Sequence, residues 1–306
     1  MIPCGIAIPQ DLLKEPTDMV RVREFVVRAD QLAYASLWVT EEVLGGAPAL
    51  DALTTLAYVA ALTQRVRICV AVLVLSRHNP ILLAKSLASL DFVSNGRLDV
   101  GVGLGHEGIE KLYGYAGERR VLRFNEALAV MKALWTQPSA SFDGAFWSFT
   151  EQKLWPKPVQ QPHPPIWFGA RSPAAVQRAA RHGDAFVGAG AATTAQFAAQ
   201  VALLREALAA AGRAPATFPI SKRVFIACDH KIERAERRMR GWFGVHYGNP
   251  ELANQVAVWG EREHCVEQLQ RIVDAGATHL LLNPVYNELE HLDLLAKLSL
   301  QPDRQS

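Results

Sequence analysis

The residues that could do chemistry gather where strand-like runs end in turns. One stretch reads Asn95-Gly-Arg-Leu-Asp-Val-Gly-Val-Gly-Leu-Gly-His-Glu107. Asn95-Gly96 is a turn signal, Arg97 to Gly103 reads as a strand, and Gly105, His106 and Glu107 follow it. Alternate glycines at a strand end let a second backbone, or a flat ligand, come close; plain relief of crowding is the competing reading. This is not a dinucleotide fingerprint, since the third glycine would fall on His106. An acidic pair, Glu41-Glu42, follows another strand-like run. Carboxylates and an imidazole around one cavity do acid–base work, so Glu42, His106 and Glu107 are candidate catalytic groups, against a solvated or capping role. A third stretch, Phe168-Gly-Ala-Arg-Ser-Pro173, ends a strand, turns, and starts a helix with Ser172 as cap and Pro173 in its first position. The free amides and dipole of such a helix hold phosphate, with Gly169, Ala170, Arg171 and Ser172 on one side. Gly188, Ala189 and Gly190, after the next strand, supply the other side. An ordinary capped helix with an exposed arginine is the alternative.

These ends converge only if the elements carrying them form one sheet. Apolar strand-like runs fall at 2–8, 36–40, 66–73, 97–103, 166–168, 185–187, 220–228 and 279–284. Each is followed by a stretch of helical spacing, including 17–34, 51–63, 121–136, 231–243 and 261–275. The alternation breaks once, where 139–142 and 146–149 flank Asp143-Gly144 as a β-hairpin, followed by a proline-rich connection. Strand–helix alternation requires a parallel sheet with right-handed crossovers. Eight units in 306 residues fit an α/β chain folded as a single closed (β/α)8 TIM barrel, one domain over 1–306. The hairpin is an excursion after strand 4, and the stretch to Gly260 is an insertion after strand 7. An open doubly wound sheet is the alternative. In a barrel the site lies at the C-terminal strand ends, where every candidate above falls.

Composition narrows the function. Formal charge is 32 minus 30, or +2, with no basic stripe, so nucleic acid is not expected as a partner. The longest clean apolar run, 68–75, is too short to cross a bilayer. The start lacks the basic residues and long apolar run of a secretion signal, and the four scattered cysteines suit reduced thiols; a cytoplasmic protein is expected. No His-x-His follows the first strand and no Gly-x-Ser-x-Gly is present, which disfavours metal-hydrolase and serine-hydrolase chemistry.

Together, Ser36-Leu-Trp-Val-Thr-Glu-Glu42, Arg65 to Val72 with Arg77-His-Asn-Pro80, Asn95 to Gly103, Arg123-Phe-Asn-Glu-Ala-Leu128, Trp155-Pro-Lys-Pro158, Pro164 to Gly169 and Ala179 to Asp184 resemble the luciferase-like monooxygenase superfamily. They are most similar to its branch that uses coenzyme F420 or FMN. The resemblance implies an oxidoreductase in which the cofactor ring lies across the strand ends and its phosphate meets the turns at Gly169 to Ser172 and Gly188 to Gly190. The remaining cofactor contacts it implies are Glu41, Val70, Ala71, Gly103 and Gly105. It also implies a bulge in the third strand with a non-proline cis peptide, which alignment to Arg77-His-Asn-Pro80 places at Val70–Ala71. Sugar-phosphate dehydrogenases of this family carry Asp-His after the second strand, with histidine as base; here Glu42 stands in the base position. A small organic substrate and a homodimer, paired through helices near the second and third strands, follow from the same resemblance. The aromatics Trp242, Phe243, His246, Tyr247 and Trp259 match no family motif and read as a substrate lid or as packing on the barrel. A non-catalytic flavin-binding barrel, and a carboxylate hydrolase using Glu41 or Glu42 with Glu107, are the alternatives.

Overall fold

A computed structural model describes residues 2–10, 19–44, 49–105, 110–114, 119–298 and 300. The elements run β1 (Cys4–Ala7), α1 (Met19–Gln31), β2 (Ser36–Val39), α2 (Ala52–Leu62), β3 (Arg67–Val74), α3 (Pro80–Val93), β4 (Leu98–Gly103) and α4 (Arg120–Thr136). The hairpin β5 (Ala140–Asp143) and β6 (Ser148–Gln152) follows. Then come β7 (Ile166–Gly169), α5 (Pro173–His182), β8 (Ala185–Gly188), α6 (Thr194–Ala210), β9 (Ile220–Cys228), α7 (Ile232–Tyr247), α8 (Ala253–Val256), β10 (Val258–Gly260), α9 (Arg262–Asp274), β11 (His279–Pro284) and α10 (Glu288–Leu295).

Strands β1, β2, β3, β4, β7, β8, β9 and β11 pair in parallel, and the β8–β9 pairing closes the ring. The closed barrel expected from the sequence is therefore present, with the hairpin between β4 and β7. β2, β4 and β8 are buried along their whole length, as strands covered on both faces must be. Outward residues such as Leu37, Ile68, Val100 and Phe168 join the helices in the main apolar layer. The interior holds Trp38, Cys69, Trp167, Ala185, Val187 and Leu281, with Trp38 and Trp167 edge-to-face at 5.5 Å. At the N-terminal end of the ring, Arg67 grips the Asp99 carboxylate through Nε at 2.9 Å and a second guanidinium nitrogen at 2.6 Å. A buried carboxylate needs such a partner.

The insertion after β9 differs from the irregular stretch expected. α7 extends to Tyr247, and β10 is a short parallel strand. Ile226 of β9 pairs with Pro284 of β11 on one side and Val258 of β10 on the other. Three residues are too few to show a strand period, so β10 leaves no sequence signal. Phe225, Ala227, Ala235, Met239, Phe243 and Ala253 form a second apolar cluster that seats this insertion on the end of β9.

Candidate active site at the barrel mouth

β3 sets the shape of the mouth. It pairs with β4 at Val70–Val100, then resumes at Leu73–Val102, so Ala71 and Val72 stand out as a bulge. The Ala71–Val72 peptide is cis. The sequence placed this bond one residue too early, at Val70–Ala71. Val70 is still in register with β4 and its side chain is buried in the outer apolar layer, so it is not at the mouth; Val72 takes that place. Both bulge residues are half-buried against the interior cluster.

Three glycines admit the bulge. A Cβ on Gly101 would lie 2.0 Å from the Val70 carbonyl oxygen. One on Gly103 would lie 2.6 Å from a Val72 methyl, and one on Gly169 2.8 Å from the other. No side chain fits at those distances. At Gly101 this is the close backbone approach that the glycine run allowed; at Gly103 and Gly169 it is the Val72 side chain that comes close. It also brings β4 and β7 together around Val72, a small, half-buried apolar floor at their C-terminal ends. Gly105 follows in the left-handed region, at φ +66, where glycine alone is unstrained.

Beside the floor, the ends of β2 and β3 are joined by Glu41. Its carboxylate accepts a hydrogen bond from the Val74 amide at 2.9 Å and meets His78 Nε2 at 2.6 Å. The Glu41 side chain is 6% exposed and that of His78 27%. Gln10 fixes the preceding residue: its Oε1 accepts the Thr40 amide at 2.7 Å and its Nε2 donates to the Thr40 carbonyl at 3.2 Å. Glu41 is thus a buried anchor, and His78 is the group it presents. Sequence reasoning gave His78 no catalytic role; its signal was its place in Arg77-His-Asn-Pro80, after a strand end. Glu42 is exposed, with no hydrogen bond or ion pair among the described residues. His106 and Glu107 lie outside the described residues.

On the opposite side, Ser172 caps α5, its hydroxyl accepting from the Ala175 amide at 3.4 Å, with Pro173 in the first turn and no acidic residue there. The helix start is thus polarised positive and uncompensated, as an anion site requires. Ala170 is buried; Arg171 is exposed, and its carbonyl accepts from Gln200 Nε2 of α6 at 3.3 Å, tying the turn to the next helix. Gly169 pairs with Val187, so Gly188 to Gly190 leave the adjoining strand end. A Cβ on Gly188 would strike Phe197, and one on Gly190 would strike Phe225, so these glycines admit aromatic rings. The turn has a hidden cation as well. Lys222, 2% exposed, donates from Nζ to the Ala189 carbonyl at 2.6 Å and the Arg223 carbonyl at 3.1 Å. Burial, helped by the Arg223 charge, pushes its pKa down to about 7. Sequence reasoning passed over Lys222; a Lys-Arg pair inside an apolar strand was the available signal.

The β9 end is closed by a carboxylate of another kind. Asp229 accepts from Arg234 of α7 at 2.6 and 2.7 Å, from the Lys231 amide at 2.9 Å and from the Tyr286 hydroxyl at 2.8 Å. The Arg234 guanidinium, then the Lys231 amide and the Tyr286 hydroxyl, hold its pKa well below the usual carboxylate range. This clamp directs α7 so that Phe243, Trp242 and Tyr247 ring Phe225, at 5.1, 4.7 and 6.0 Å.

The model of the luciferase-like monooxygenase family matches residues 2–252. The chain belongs to that family. An uncharacterised protein of Mycobacterium tuberculosis is 45% identical over 122 residues, 40% of this chain and 43% of that protein, so the chain aligns with under half of this relative's length. An F420-dependent glucose-6-phosphate dehydrogenase of Kineococcus radiotolerans is 26% identical over 297 residues, 86% of each chain. Among solved structures, an F420-dependent secondary alcohol dehydrogenase in complex with an F420-acetone adduct superposes with a TM-score of 0.84 at 19% identity, covering 97% of this chain and 98% of that one. The oxygenating constituent of 3,6-diketocamphane monooxygenase from Pseudomonas putida, in complex with FMN, superposes at 0.81 with 16% identity over 97% of each chain. At these identities the two structures share the barrel with this chain. Among the described residues, no helix is long and apolar enough to cross a membrane.

Proposed function

We propose that this protein is an F420- or FMN-dependent oxidoreductase acting on a small organic substrate at the barrel mouth. One observation carries the reading: the Val72 floor lies on β4 and β7, and β7 leads directly into the uncompensated α5 helix start. A flat phosphorylated ring system matches that pairing of an apolar floor with an anion-binding turn. The chemistry such a group supplies is hydride exchange with the substrate for F420, or reduction of oxygen for FMN. Ala71 and Val72 support and orient the ring. The α5 amides, Ser172 and Arg171 hold the phosphate, with Lys222 bracing the Ala189 turn from below. His78, oriented by Glu41, gives or takes the substrate proton; Glu42, His106 and Glu107 are the further acid–base candidates from neighbouring loops. The Kineococcus relative supports F420, and the Pseudomonas structure keeps FMN in view.

The exposed apolar face of α3, with Leu82, Phe92 and Val93, and Trp155 beside it through the bond from Lys85 Nζ to the Trp155 carbonyl, is the surface we assign to a homodimer. Light scattering of the purified protein tests that assignment.

Titrating the apoprotein with F420, FMN and riboflavin, followed by fluorescence, tests the cofactor. The expected result is saturable binding of F420 or FMN, with riboflavin, which lacks the phosphate, bound at least tenfold more weakly. Arg171→Ala weakens the phosphorylated cofactor about three- to tenfold and leaves riboflavin unchanged, the size of one exposed charge contact, roughly 0.6–1.4 kcal/mol. Binding of neither phosphorylated cofactor contradicts the proposal.

A further inference from the structure

The end of β9 also brings two cysteines together, within the apolar layer between the strand and α9. Gly260 of β10 is the direct cross-strand partner of Cys228. Cys265, in the first turns of α9, places its Sγ 3.6 Å from the Gly260 carbonyl oxygen and 4.0 Å from that of Ala227, the residue before Cys228. Neighbouring strands lie about 4.8 Å apart, so a sulfur over both carbonyls sits beside the Cys228 position on β9. The two thiols are unbridged, and each shifts the proton affinity of the other. Both are buried from bulk solvent, but Cys228 lines a cavity of about 170 Å³ with Asp229, His230, Arg262, Tyr286 and His291. That volume exceeds the roughly 30 Å³ share of a water molecule several-fold, so a small peroxide fits.

We infer that Cys228 and Cys265 form a reversible thiol–disulfide site that responds to hydrogen peroxide. The roles are unequal. The neighbouring Cys265 thiol and the Arg262 charge lower the Cys228 pKa, while the Cys228 sulfur and burial push that of Cys265 up. A thiolate is the nucleophile, so Cys228 attacks first. Its sulfur bonds one peroxide oxygen as the O–O bond breaks, and the other oxygen leaves as water with the proton that Cys228 shed. The Cys265 sulfur then attacks the Cys228 sulfenic acid; the S–O bond breaks, the S–S bond forms, and the second water leaves carrying the Cys265 proton. Two thiols lose two electrons and two protons, and the peroxide accepts them. The bridge covalently joins the end of β9 to α9, one residue before the Asp229 clamp. The inference does not depend on the cofactor.

The test is a thiol map. Reduced protein is treated with hydrogen peroxide, quenched with catalase, alkylated in denaturant, and digested for mass spectrometry. Of the four cysteines, alkylation is expected to fall to two, Cys4 and Cys69, with a linked peptide joining Cys228 to Cys265 and full recovery in dithiothreitol. In Cys265→Ser, peroxide with dimedone labels Cys228; in Cys228→Ser, Cys265 stays unlabelled. The wild-type map decides the pairing by itself, so a variant that fails to fold does not blunt the test. Four alkylated cysteines after peroxide, or a bridge through Cys4 or Cys69, overturns the inference.

Discussion

Two carboxylates at the strand ends of the ring are built almost alike and hold different partners. Glu41, after β2, and Asp229, after β9, have side chains 6% and 4% exposed, and each accepts a backbone amide, of Val74 and Lys231. The second partner separates them. Asp229 meets a guanidinium, which holds its charge at every pH where the protein folds. Glu41 meets an imidazole, whose two ring nitrogens can donate one hydrogen bond and accept another. A carboxylate locked to arginine positions chain; a carboxylate holding histidine positions a proton. The β9 end is therefore read as the clamp on α7, and the β2–β3 end as the acid–base side of the mouth.

The largest effect that separates the two readings is on turnover. With F420 or FMN bound and an active substrate found, His78→Ala should lower kcat about 10²–10⁴-fold, the range of a lost acid–base group, while Tm moves little. Glu41→Gln should lower kcat in the same direction and less. Loss of stability without loss of turnover per folded molecule would make Glu41–His78 a clamp like its counterpart.

Asp229→Asn should show the opposite split. It leaves Arg234 and the Tyr286 hydroxyl without their charged acceptor, and urea unfolding should report a loss of about 2–3 kcal/mol. The sign of its pH dependence follows from the depressed pKa. The Asp229 contribution is fully present above the unfolded carboxylate pKa, about 3.9, and fades as pH falls below it, so wild type and variant converge in acid.

Lys222 gives a smaller, pH-shaped effect. Its folded pKa, about 7, lies below the unfolded value of about 10.4, so wild type loses stability as pH falls through that interval and then levels off. In Lys222→Met, Tm relative to wild type should rise as pH drops from 10 to 7 and stay flat below. A pH-independent difference would mean that the ammonium is not desolvated there. Smallest of all is Glu42→Gln. An exposed side chain without a partner among the described residues should change kcat by less than about threefold, roughly 0.6 kcal/mol in barrier. A large loss would return the base role to Glu42.

What could be read from the chain divides along the same physical lines. The barrel was legible because strands such as β2, β4 and β8 are buried on both faces and Ile68 to Leu75 is a continuous apolar run, and because Ser172-Pro173 and Asn95-Gly96 punctuate the alternation. The glycines at 101, 103 and 169 were legible as positions needing close approach, but what approaches, Val72 from a bulge in β3, depends on pairing register, which a single strand does not encode. That is why the cis peptide lies one residue beyond its expected place. His78 was given no role because its partner is 37 residues away and becomes a neighbour only when β2 pairs with β3. The Asp229 clamp was missed for the same reason, since Tyr286 is 57 residues distant. Spacing along the chain finds turns and faces; it does not find partners across strand ends.

A crystal structure of the protein with its phosphorylated redox cofactor is the most direct test. The account predicts the ring against Ala71 and Val72, the phosphate at the start of α5 beside Ser172, and His78 on the substrate side. A phosphate bound instead at the ends of β9 and β11, with the Val72 floor uncovered, would contradict it.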